Sequence, residues 1–120
     1  MSVRGIRGAT QIERDDAGLM QEAVVELMEE LMRANSLKAE DLISVIFTVT
    51  SDLTSDFPAA SARAMGLGDV PLLCSTEIPV PNSLPRTIRT LVHCETSRNQ
   101  KQIAHTYLRG TSVLRKDLAQ

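Results

Sequence analysis

The sequence predicts an α/β (α+β) chain, with a mixed β-sheet of about five strands packed on two or three helices. Three observations lead there. Within residues 15–33, Leu19, Met20, Ala23, Val24, Leu27, Met28, Leu31 and Met32 recur at the i, i+3, i+4, i+7 spacing of one apolar helical stripe. Residues 42–50, LISVIFTVT, set Ile43, Val45, Phe47 and Val49 against Ser44, Ile46 and Thr48 with the two-residue period of a strand. Between such segments stand Gly66, Gly68, Pro79, Pro81 and Pro85, which punctuate the chain into the order βαβαββαβ. A length of 120 residues suits a single domain, 1–120, large enough to bury a real core.

Taken in order, Val3–Ala9 reads as a short strand carrying Arg4 and Arg7, interrupted by Gly5 and Gly8, where glycine marks a close approach of backbone or ligand. The long helix over 15–33 starts at Asp15 and Asp16 and ends at Arg33, both favourable to its dipole, with Asn35 as its C-terminal cap. Glu22, Glu26, Glu29 and Glu30 form its solvated face, and its methionines fill core. In the strand Leu42–Thr50 the apolar face meets this helix, and the opposite face is small and semi-polar. Phe57–Met65 is a short helix, with Pro58 at its first position and Gly66 or Gly68 to stop it. Val70–Glu77 and Arg86–Glu95 are the third and fourth strands, joined by a proline-stiffened loop. Asn99–Leu108 reads as a short amphipathic helix, Thr111–Arg115 as a last strand, and the polar tail beyond as frayed. Helices on one face leave the other to be covered by association, so the sequence predicts an oligomer.

Composition narrows the function. A net charge of −2 and only three aromatic residues, Phe47, Phe57 and Tyr107, argue against a nucleic-acid binder that works by bulk charge or base stacking. No stretch approaches the ~20 apolar residues of a membrane span, and MSVRGIRGAT lacks the apolar region of a signal peptide. The expectation is a cytoplasmic protein, in which Cys74 and Cys94 stay reduced. His93, His105 and the two cysteines lack zinc-site spacing, so no metal is expected. There is no glycine-rich phosphate loop, no nucleophile elbow and no evident base beside a nucleophile. Arginine outnumbers lysine ten to three, which suits bidentate grips on carboxylates. What remains is a set of polar residues on or near strands: Arg7, Cys74, Glu77 and Arg89, then Tyr107 and Arg115.

These residues sit in VRGIRGAT at 3–10, FPAASAR at 57–63, VPLLCSTEI at 70–78, IR at 88–89, HTYL at 105–108 and VLRKDL at 113–118. In that order they resemble the monofunctional, trimeric class of chorismate mutase, the AroH type with a mixed sheet rather than the all-helical type. The opening RGIRGAT and the Cys-x-x-Glu followed by Arg are the most specific pieces. The resemblance implies a homotrimer with a pseudo-barrel core and intersubunit sites. It also implies the [3,3] rearrangement of chorismate to prephenate, in phenylalanine and tyrosine biosynthesis, without cofactor or metal. That reaction needs a flexible dianion held as a compact conformer and a fixed cation at the ether oxygen as its bond breaks.

Carried over by this likeness, Arg89 faces the ether oxygen and one carboxylate, Arg7 grips the other carboxylate, and Glu77 accepts from the ring hydroxyl, with Cys74 nearby. Tyr107 adds a contact to the side-chain carboxylate. Phe57, Ala59 and Arg63 line or rim the site from a neighbouring subunit, and Leu114 and Arg115 belong to a segment that closes over it. Where the family often has a lysine this chain has Ala60, which removes a rim charge, and its loop before Arg89 is PNSLP where some relatives have glycines. Cys74 and Glu77 stand three apart, so a regular strand puts them on opposite faces unless it bends or ends near Thr76. Two alternatives stay open: a trimeric imine/enamine deaminase of the Rid type, and a non-catalytic ligand-binding trimer.

Overall fold

A computed structural model describes residues 1–114 in full and the backbone of Arg115. Its elements are β1 (Ser2–Gln11), α1 (Ala17–Ala34), β2 (Leu42–Val49), α2 (Pro58–Ala62), β3 (Leu72–Thr76), β4 (Thr87–Thr96) and β5 (Thr106–Tyr107). The five strands form one sheet in the order β3-β2-β4-β1-β5. It is mixed: β1 and β2 run antiparallel to β4, while β3 pairs parallel to β2 and β5 parallel to β1.

The apolar stripe of α1 buries Met20, Ala23, Val24, Leu27, Met28 and Leu31. They meet Ile6, Val45, Phe47, Ile88, Val92 and Cys94 from one face of the sheet, joined by Ala62 and Leu67 from the α2 region. Asp16 caps the helix, its carboxylate accepting from the Leu19 N–H at 2.9 Å. Asp15 stays outside and accepts from Thr54 and Ser55, tying the start of α1 to the loop before α2. The end of α2 opens into one wide turn, Arg63–Leu67, stopped at Gly66 with φ of 108°.

Several elements differ from the sequence prediction. β1 runs unbroken through both glycines, and what approaches Gly8 is α1. A Cβ there would come within 3.0 Å of Thr90 and 3.2 Å of Leu27 and Leu31. In β2 a bulge sets Ile43 and Ser44 against His93, so Leu42 rather than Ile43 joins the core. The helix expected over Asn99–Leu108 is a single 3-10 turn, Gln100–Gln102, closed by reciprocal bonds between Asn99 and Gln102. The chain then leaves the helical path because buried Asn35 captures it, accepting from the Ala104 N–H and donating to the Ala104 carbonyl. Thr106–Tyr107 pairs with β1 instead. The strand expected over Thr111–Arg115 is a 3-10 helix, Arg109–Arg115. The edge it would have joined is already taken by β5, and the Thr111 hydroxyl turns inward to donate to the Leu108 and Ala9 carbonyls. The expected frayed tail lies outside the described residues.

Both helices cover one face of the sheet. The other carries exposed Val3, Leu73 and Leu91, half-buried Ile46 and a band of polar side chains.

Candidate active site

That polar band is built by strand register. Thr48 on β2 lies directly opposite Arg89 on β4, Arg89 opposite Ala9 on β1, and Ala9 beside Tyr107 on β5. All point away from α1, because Ile88 and Thr90, the neighbours of Arg89 in sequence, are buried on the core side. Arg7 faces Leu91, which makes it a diagonal neighbour of Arg89 on the same face.

Glu77 reaches this face from beyond the end of β3. Its N–H donates to the Val49 carbonyl at 2.8 Å, extending the ladder by one residue. Its Oε2 lies 3.3 Å from Arg89 Nε, and the same oxygen accepts from the Thr48 hydroxyl. The Glu77 side chain is 19% exposed and that of Arg89 45%, so the pair is open to solvent on the arginine side. Both border a cavity of about 340 Å³ closed by Val80, Ser83 and Leu84 of the proline loop. The contact is an ion pair by distance, and a guanidinium has five N–H donors to offer a ligand.

Because the ladder stays regular through Glu77, Cys74 does not share its face. Cys74 packs toward the core side and borders a second cavity, about 350 Å³, with Phe57, Pro58 and Asp56. Phe57 is 67% exposed at the mouth of α2, Ala59 is buried in α2, and Arg63 is exposed on the turn after it. Among the described residues no hydrogen bond or ion pair joins these four to the Glu77–Arg89 pair, and the two cavities share no lining residue. Tyr107 is half-buried on β5, and Leu114 is half-buried in the last 3-10 helix. The side chain of Arg115 lies outside the described residues.

Two residues have roles that no local pattern marks. Thr48 belongs to the semi-polar face of β2. His105, inside the segment expected to be helical, precedes β5 instead, and its Nδ1 accepts the Arg7 backbone N–H at 2.9 Å. The contact partners of Thr48 and His105 lie 29 and 98 residues away, beyond any local pattern. Among the described residues no three His, Cys, Asp or Glu side chains gather to hold a metal, and no helix is long and apolar enough to cross a membrane.

Comparison with known proteins identifies the family. The family model for chorismate mutase type I matches residues 3–118. The chain belongs to the chorismate mutase type I family. It is 49% identical to the chorismate mutase AroH of Thermus thermophilus over 117 residues, 97% of this chain and 96% of that protein. It is 38% identical to the chorismate mutase AroH of Bacillus subtilis over 120 residues, 99% of this chain and 94% of that one. A solved chorismate mutase from Clostridium thermocellum superposes with a TM-score of 0.90 at 42% identity, covering 92% of this chain and 98% of its own. The enzymatic function is accordingly that of a chorismate mutase, and the deaminase alternative is set aside.

The substrate of such an enzyme is a dianion, which discriminates between hollows on the surface. One of about 820 Å³ runs open along α1 and is lined by Glu22, Glu26, Glu29 and Glu30 with a single arginine, Arg33. Its charge has the wrong sign. The outer face of the sheet, with Arg7 and Arg89, has the right one.

Proposed function

We propose that the protein rearranges chorismate to prephenate on the outer face of its sheet, with Arg89, Glu77 and Arg7 as the groups that touch substrate. The observation that carries this is the Arg89–Glu77 pair, held at 3.3 Å beside Arg7 in a chain of this family. The reaction breaks one C–O bond and forms one C–C bond within a single molecule, so it asks for no nucleophile and no proton. Negative charge grows on the ether oxygen as the bond breaks. A terminal nitrogen of Arg89 meets it, and because the ion pair with Glu77 already sets the guanidinium on this face, the cation need move little when the charge appears. Arg7 grips a carboxylate, and the free oxygen of Glu77 accepts from the ring hydroxyl. Holding both ends compacts the chain of the substrate toward its reactive conformer.

The working unit in this reading is a homotrimer of one-domain chains, with sites between subunits. Two features favour it. Val3 and Leu73 are 59% and 61% exposed on a face that association would cover. Cys74 and Phe57 border a cavity that shares no lining residue with that of the Glu77–Arg89 pair, and in this reading they, with Ala59 and Arg63, meet the pair of a second copy. Leu114 and Arg115 follow β5 and Tyr107 in the sequence, and in this reading they belong to the segment that closes over the site. Two free cysteines, Cys74 and Cys94, fit a reducing compartment, and we place the enzyme in the cytoplasm.

The test is direct. Purified protein is added to chorismate without metal or cofactor, the loss of ultraviolet absorbance is followed, and prephenate is identified by acid conversion to phenylpyruvate. Light scattering gives the mass of the active species. Rapid conversion by a trimer is expected. Tight binding of chorismate without turnover would favour the non-catalytic trimer, and full activity from a monomer would remove the intersubunit site.

A further inference from the structure

Thr48 has no part in the chemistry described so far, yet it stands at the centre of the polar band. It lies on β2 between the two strands that carry the pair, directly opposite Ser75 of β3 and Arg89 of β4. Its hydroxyl donates to Glu77 Oε2, the oxygen that faces Arg89 Nε. We propose that Thr48 is a positioning residue: its hydroxyl locks the Glu77 carboxylate so that Oε2 holds Arg89 and Oε1 is left for the substrate. This rests on the functional reading above.

The need for such a lock follows from where Glu77 sits. It is one residue past the end of β3, an edge strand, and the loop that follows is exposed at Ile78, Pro79 and Val80. A glutamate side chain has several free torsions, and ordering it costs conformational entropy that one partner must offset. Arg89 does so weakly, because its side chain is itself 45% exposed and water competes for it. Thr48 is different. It is β-branched, with few χ1 choices, lies on an inner strand, and is half-buried. A hydroxyl on a carboxylate is a charge-assisted bond, about twice as strong as a neutral one. The rigid strand therefore sets the carboxylate, and the carboxylate sets the guanidinium.

Three substitutions separate this role from packing. Thr48→Val keeps the shape and loses the hydroxyl, Thr48→Ser keeps the hydroxyl and loses the methyl, and Thr48→Ala loses both. The readouts are kcat and KM for chorismate, with the melting temperature of each variant. A positioning hydroxyl gives Ser close to wild type, with Val and Ala both lowered about tenfold or more in kcat and little changed in KM. A merely structural side chain gives the opposite order, Val close to wild type and Ser as poor as Ala, and that order overturns the inference. If Val folds poorly, the comparison of Ser with Ala carries the test. An active wild type with Val at full kcat overturns this inference alone, whereas a wild type inert to chorismate overturns the functional reading and this inference with it.

Discussion

Replacing Asn35 by alanine should cost both stability and substrate affinity, although the residue touches no substrate. Asn35 is 2% exposed and closes α1. Its amide nitrogen donates to the carbonyls of Leu31 at 2.8 Å and Ala104 at 2.9 Å, and its oxygen accepts from the Ala104 N–H at 2.8 Å. Alanine leaves these three backbone groups without partners. A fully buried orphan costs about 1–3 kcal/mol. Ala104 is half-buried, so water recovers part of its loss, and the total comes to about 2–4 kcal/mol. For a chain of 120 residues, 1 kcal/mol moves the melting temperature by about 4 °C, so the expected fall is about 8–16 °C. The functional part follows from what Ala104 leads into. His105 and Tyr107 come next, and with them the pairing of β5 to β1 and the support of the Arg7 backbone. Well below its melting temperature, Asn35→Ala should raise KM for chorismate severalfold. Thermal unfolding followed by circular dichroism, with initial rates at 25 °C, checks both. A fall of under about 2 °C would refute the energetic reasoning, and an unchanged KM would show that β5 holds its place without the tie.

Three further outcomes are expected. Gly8→Val should destabilise by about 1–3 kcal/mol, because the new side chain meets Thr90, Leu27 and Leu31 where even a Cβ is at 3.0–3.2 Å; urea unfolding measures it. The Thr54 hydroxyl, with further bonds from Ser55 and the Thr54 backbone, holds the Asp15 carboxyl below its ordinary range. Its contribution is therefore full above the ordinary carboxylate value and is lost as pH falls through the lowered one, so an acid-unfolding curve for Asp15→Asn should be less steep below about pH 4. Arg7→Ala should raise KM for chorismate more than it lowers kcat, since one carboxylate loses its grip in ground and transition states alike; steady-state kinetics decides.

How far the fold could be read from the sequence depended on whether a signal was local. The stripe in α1 and the alternation in β2 are periodic and survive almost unchanged, because burial of one face is a property of spacing. The bulge at Ile43 shifts the alternation by one and leaves no mark in composition. Residues 99–108 look helical over one turn, but Asn35, some 70 residues earlier, decides their path. For the candidate site, Arg7, Glu77 and Arg89 come from the resemblance, and the register sets them on one face. Cys74 shows the limit of that reasoning. Parity puts it opposite Glu77, and the regular ladder keeps it there. Thr48 is an ordinary strand threonine until the register places it across from Arg89.

The most direct test of the mechanism is kcat for Arg89→Ala and Arg89→Lys in protein shown to keep its fold and mass. If the guanidinium held by Glu77 meets the charge on the ether oxygen, alanine should lose about 10²–10³-fold or more in kcat. Lysine should recover part of that loss, because it restores the charge but not the planar fork. An Arg89→Ala enzyme within about threefold of wild-type kcat, far short of the loss expected for a missing oxyanion donor, would contradict the electrostatic role assigned to this residue.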